Sequence, residues 1–166
     1  MNAAPPIGRL ANIPLSGMLR AILAVAILGS CARADPGPAV PITFATGICD
    51  GTCPAWEATV TPAGGVYRGG QFSRVQGARR FPLTAEQYHA IALALAPIRP
   101  SGTRALYPDR AGCEQAANDM RTIEVSWGKS DRLTFYTGCE GSENGRILDA
   151  LLRVEQLLPV NHLAGH

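Results

Sequence analysis

The sequence is poor in charge, poor in lysine and without a long apolar run, and each lack removes a class of function. Charged residues make up 17% of the 166 residues and the formal net charge is +2. The 15 basic residues include Arg9 and Arg20 near the start, so from Cys31 onward 13 basic residues balance 13 acidic ones. A neutral chain has no electrostatic footprint for nucleic acid, and no nucleic-acid partner is expected. Lys129 is the single lysine, a matter of codon usage rather than mechanism. The apolar run from Ala21 to Leu28 falls well short of the ~20 residues that a membrane-spanning helix needs. G-x-S-x-G, H-E-x-x-H and phosphate-loop motifs are missing, as are internal repeats. His89 falls beside the apolar stripe of a helix, and His162 and His166 in a polar tail, so none has a catalytic partner in sight. No enzymatic activity, cofactor or metal is expected.

What is present begins with a leader. Met18-Leu19-Arg20 supplies a short positive region, the apolar run follows, and Leu28-Gly29-Ser30-Cys31 makes a small-residue boundary. That boundary resembles a bacterial lipobox, where the chain is cut before the cysteine and the thiol is acylated. An ordinary signal cut near Ala34 is the competing reading. Residues 18–30 are thus expected to be a lipoprotein signal peptide and Cys31 the lipidation site. Residues 1–17, broken by Pro5, Pro6 and Pro14, read as a misassigned start or as an extended first region. Ala32, where retained lipoproteins carry aspartate, implies by resemblance the outer membrane, facing the periplasm. Residues 31–40, with Pro36, Gly37 and Pro38, form a tether. The expected partners are the membrane, through the lipid, and another envelope protein or cell-wall component.

Residues 41–160 carry the pattern of one α+β domain, and 161–166 read as a tail. Ile42 and Phe44 alternate as in a half-buried strand, then Trp56, Ala58 and Val60 do the same. Pro62-Ala63-Gly64-Gly65 turns, and Val66-Tyr67-Arg68 returns, with Gln71 to Val75 continuing that strand past a bulge at Gly69-Gly70. Thr84 with Gln87 makes a capping box, Leu83 and Tyr88 a staple, and Tyr88, Ile91, Ala92 and Leu95 a helical stripe closed by Pro97. Residues 98–121 have no periodicity, which calls for an anchor such as Cys113. Ile123, Val125 and Trp127, then Leu133 and Phe135, form a second hairpin. A last helix runs from about Asn144 to Leu158 with Ile147, Leu151, Val154 and Leu158 as its stripe. The expected order is β-β-β-α-β-β-α: a mainly antiparallel sheet with two amphipathic helices on one face, stapled by disulfides.

With Cys31 lipidated, four cysteines remain, an even number for an oxidising compartment. Of three connectivities, Cys49–Cys53 with Cys113–Cys139 is favoured, and Cys49–Cys139 with Cys53–Cys113 comes next. A thiol–disulfide enzyme built on Cys49 and Cys53 is the alternative function, although C-x-x-x-C leading into a strand lacks the helix start that acidifies a redox thiol. A four-thiolate metal site lacks two tight pairs. Asp50, Asp109 and Asp119 have no EF-hand spacing and read as turn residues. Arg79-Arg80 reads as a solvated loop pair, with an anionic surface such as lipopolysaccharide as the sharper alternative.

Gly47-x-Cys49-x-Gly51-x-Cys53-Pro54-x-Trp56, followed by a strand and a glycine turn, resembles a bacterial family of unknown function with the motif G-x-C-x-G-x-C-P-x-[YW]. Many members of that family are predicted lipoproteins or secreted proteins. Trp56 stands where tyrosine is usual. The resemblance covers residues 41–158 and implies a fold but no activity. Within it, Asp50, Gly51, Thr52, Pro54 and Trp56 form a possible recognition loop on a disulfide-clamped turn. The function expected is a non-enzymatic, periplasm-facing binding domain.

Overall fold

Strict alternation builds the sheet. In Trp56–Thr61 every second side chain is buried, and the same holds in Ile42–Thr46 and Thr122–Trp127. The computed structural model describes residues 39–165. These strands are β1 (Ile42–Thr46), β2 (Trp56–Thr61) and β6 (Thr122–Trp127). They join β3 (Gly64–Gly69), β4 (Gly77–Phe81), β5 (Thr103–Leu106) and β7 (Asp131–Tyr136) in a seven-stranded sheet of order β4-β3-β2-β1-β6-β7-β5. All pairings are antiparallel except β5 with β7. The helices are α1 (Ala85–Leu95), α2 (Ser142–Leu157) and the short α3 (Asn161–Ala164). The domain is therefore α+β, mainly antiparallel, with two disulfides.

One cluster of buried side chains joins the sheet to the helices. Phe44, Val60, Val125 and Phe135 contribute from the strands, and Ile91, Leu95, Ile147, Leu151 and Val154 from α1 and α2. Phe44, Trp56 and Tyr67 stack through it, with ring centroids 5.7 and 6.2 Å apart. Gly65 is needed beside them, because the Phe81 ring, its cross-strand partner, fills the place of a β-carbon. At α1, Thr84 accepts from the Gln87 amide (3.1 Å) and the Gln87 side chain accepts from the Thr84 amide (2.9 Å). Losing that cap costs about 1 kcal/mol.

The order departs from the expected β-β-β-α-β-β-α in three places. First, Gln71–Val75 does not prolong β3. The chain folds back over Gly69, where the Val75 carbonyl occupies the space of a β-carbon, and β4 starts at Gly77. Arg79 and Arg80 thus lie on an edge strand rather than in a loop. That strand buries only Phe81, so it carries no alternation to read, and charge is what natural edges use against mispairing. Second, residues 98–121 contain β5, which buries only Leu106 of its four residues. Third, the 161–166 tail is not outside the domain. Ala164 is buried, and the backbone amides of Arg74 and Val75 donate to the carbonyls of Ala164 and Leu163. The leader, Cys31, the tether up to Pro38, and His166 lie outside the described residues.

Candidate functional site

Registers divide the sheet into two ends. Thr46, Trp56, Gly69 and Gly77 are paired in succession, and Thr46 also meets Ile123, with Thr122 opposite Tyr136 and Leu106 opposite Phe135. From this end leave four loops, residues 47–55, 70–76, 107–121 and 137–141. The other end holds the tight turns at 62–63 and 128–130, the link at 96–102, and the entry of the chain at Val40. We call them the loop end and the turn end.

The 47–55 loop is closed by Cys49–Cys53, with Cα atoms 5.4 Å apart, and the Gly51 amide donates across the ring to the Cys49 carbonyl (2.8 Å). Its roots are pinned. The Gly47 amide donates to the Thr122 carbonyl (2.7 Å) and the Thr46 hydroxyl to the Pro54 carbonyl (3.0 Å). Ala55 then couples this loop to the next, donating to Gln71 and accepting from the Gly70 amide and the Ser73 hydroxyl. Those bonds hold Phe72 between them at φ 62°, a conformation rare for a bulky residue, and leave the residue 47% exposed.

The third and fourth loops are bound by Cys113–Cys139, whose Cα atoms lie 5.0 Å apart and whose sulfurs are buried. The Asn144 side chain, also buried, donates to the carbonyls of Gly112 (2.7 Å) and Glu140 (2.6 Å). Gly138 lets residues 117–120 pass close, because the Ala117 carbonyl and the Tyr136 ring fill the place of its β-carbon. The Tyr136 hydroxyl then accepts from the Met120 amide (3.0 Å). Beneath Met120 lies a hollow of about 240 Å³ lined by Cys53, Asp119, Met120, Arg121, Leu148 and Leu152. At its border Arg121 pairs with Glu155 (2.6 Å), both side chains largely buried.

Of the expected recognition residues, Asp50, Gly51 and Thr52 are exposed and Pro54 is half-buried. Trp56 is corrected: it stacks in the core at 3% exposure and offers no surface to a ligand. Asp109 and Asp119 sit at φ 61°, as turn residues do, and among the described residues no cluster of His, Cys, Asp or Glu could hold a metal. His89 and His162 are exposed on α1 and α3. Sequence reasoning missed Ile48, Phe72, Met120 and Leu152, all exposed at this end. Leu152 carried a signal, since it stands beside Leu151 but off the 147–151–154–158 stripe. A larger hollow, about 370 Å³, lies between Pro97–Pro100 and the start of α2. Its Arg99 and Arg104 are already paired with Asp131 and Glu143.

Against known proteins, the sequence model of a domain of unknown function, DUF6438, matches residues 40–157. No curated protein and no solved structure matches the chain.

Proposed function

The chain belongs to the DUF6438 family, and from that premise we propose a non-enzymatic binding domain of a bacterial envelope lipoprotein, which engages another envelope component through its loop end. The observation that carries this reading is a clustering. Both disulfides, all three non-glycine residues with positive φ among the described residues, and the exposed apolar side chains of Ile48, Phe72, Tyr107 and Met120 lie in the loops of that one end. Strained, covalently braced loops that display apolar side chains are what a preformed recognition surface requires. In this scheme residues 18–30 are the signal, Cys31 bears the lipid, residues 31–40 tether the domain, and the two amphipathic helices cover one sheet face so that the loop end stays free. Disulfides accord with the oxidising periplasm, and Ala32 after Cys31 is what supports the outer membrane.

A photo-cross-linking residue placed at Ile48 in the full chain tests the surface. Adducts with an envelope component are expected from Ile48 and not from Leu93, exposed on α1. No adduct from Ile48, together with turnover of a substrate by the protein, defeats the proposal. Cys31→Ser is expected to release the protein from membranes; continued acylation of that variant counts against the anchor.

One observation favours thiol–disulfide exchange as a second reading. Cys49 and Cys53 are only half-buried, and Cys53 lines the hollow where a substrate would sit. Thiol trapping under mild reductant decides: a Cys49–Cys53 bond that survives until the domain unfolds excludes it.

A further inference from the structure

The hollow beside Cys53 has a chemistry of its own. Met120 and Leu152 are exposed large apolar residues, Leu148 is half-buried next to them, and all three line the same depression. At about 240 Å³ it is smaller than the ~300–1,000 Å³ of drug-sized ligand pockets, so it suits one side chain of a larger partner. Its rim is acidic. Asp119 lines it and Asp50 stands in the adjoining disulfide ring, and neither has an ion-pair partner among the described residues. Arg121, the cation on the wall, is neutralised by Glu155. The chain enters the domain at Val40, at the far end of the sheet, so a partner reaches the hollow from the side remote from that entry.

From these features we infer that the hollow docks an extended segment of a partner protein carrying a large apolar side chain flanked by lysine or arginine. The apolar side chain fills the space between Met120, Leu148 and Leu152, and the basic residues meet Asp119 and Asp50. The inference rests on the loop end being the binding surface and adds the chemistry of what binds there. The Met120 amide is held by Tyr136 and the Arg121 carbonyl by Thr137, and the side chains of Met120, Leu148 and Leu152 supply the apolar contact.

Two fluorescent seven-residue peptides test it against the full chain with both disulfides formed. One has a central leucine–phenylalanine pair between lysines, the other the same pair between glutamates. Saturable binding of the lysine peptide is expected, about tenfold tighter than the glutamate peptide. Leu152→Glu should weaken it about tenfold or more, and Asp119→Asn about threefold with a flatter salt dependence. Leu93→Glu on α1 should leave it unchanged. Equal affinity for both peptides, no saturable binding of either, or full binding by a folded Leu152→Glu variant overturns the inference. So does self-association of the chain that Leu152→Glu abolishes, since the occupant is then a second copy. Adducts from Ile48 alongside any of these results leave the loop-end surface standing while this inference falls; absence of those adducts removes the surface itself.

Discussion

The two ends of the sheet are held by different chemistry. At the turn end, hydrogen bonds close the connections. The Thr61 hydroxyl donates to the Gly64 carbonyl (3.2 Å), the Gly128 amide to Pro41 (2.9 Å), and the Tyr88 hydroxyl to Val40 (2.6 Å). Asp131 accepts from the Gly102 amide (3.1 Å) and from Arg99 (2.7 Å), whose guanidinium lies over the Trp127 ring. At the loop end, four longer connections converge, and covalent bonds do what short turns do elsewhere. Long loops have more conformational entropy to lose, and a disulfide removes part of it from the unfolded chain. The difference teaches that the loop end is stabilised for a shape that its sequence would not hold by hydrogen bonds alone.

The largest test of that comparison removes the buried bridge. Cys113→Ala with Cys139→Ala should cost about 3.5 kcal/mol on the chain-entropy model, read by urea denaturation. The exposed ring should matter less: Cys49→Ser with Cys53→Ser is expected to cost about 2 kcal/mol, because Gly47 and Pro54 already pin its roots. Equal losses for the two pairs would break the distinction between a bridge that holds loops together and a ring that shapes one loop. In the same spirit, strong reductant, beyond the mild conditions that test thiol–disulfide exchange, should release the half-buried Cys49 and Cys53 thiols before the buried pair.

Phe72 sharpens the comparison in the opposite direction. A non-glycine residue in the left-handed region costs about 1 kcal/mol or more, so Phe72→Gly should raise stability by about 1 kcal/mol while lowering the yield of envelope adducts from Ile48. A destabilised Phe72→Gly variant would mean that the ring packs against the domain rather than facing a partner.

How much of this was legible in the sequence follows from the same physics. Strands that bury every second residue, β1, β2 and β6, announced themselves, and so did α1 through Thr84 and Gln87, because burial on one face imposes a period. The edge strands β4 and β5 did not, since each buries only its last residue, Phe81 or Leu106. The ring at Cys49–Cys53 was visible as a motif. The hollow was not, because Cys53, Met120 and Leu152 come from three distant segments and only the tertiary fold, with Gly138 admitting the 117–120 chain, brings them together.

The smallest effect separates the two ends by pH. The Gly102 amide, and then Arg99, hold the Asp131 carboxyl below its ordinary value of 3.8. A depressed carboxyl stabilises the fold above its unfolded pKa, and that contribution is lost as pH falls through the folded pKa. Acid below about pH 4 should therefore loosen the 96–102 link, and Asp131→Asn should abolish that pH dependence. Glu114 at the loop end has the same sign, since the Gly112 amide depresses its carboxyl. Yet Gly112 adjoins Cys113, and its carbonyl is held by Asn144. Protonating Glu114 removes one bond from a segment still tied by a disulfide, whereas protonating Asp131 removes the charged acceptor that gathers Gly102 and Arg99. Amide exchange followed by NMR should show Gly102 losing protection in acid while Cys113, whose amide donates to the Arg110 carbonyl, keeps it. Once Cys113–Cys139 is reduced, Cys113 should lose protection as well, and an unchanged Cys113 would show that the buried bridge is not what braces the loop end.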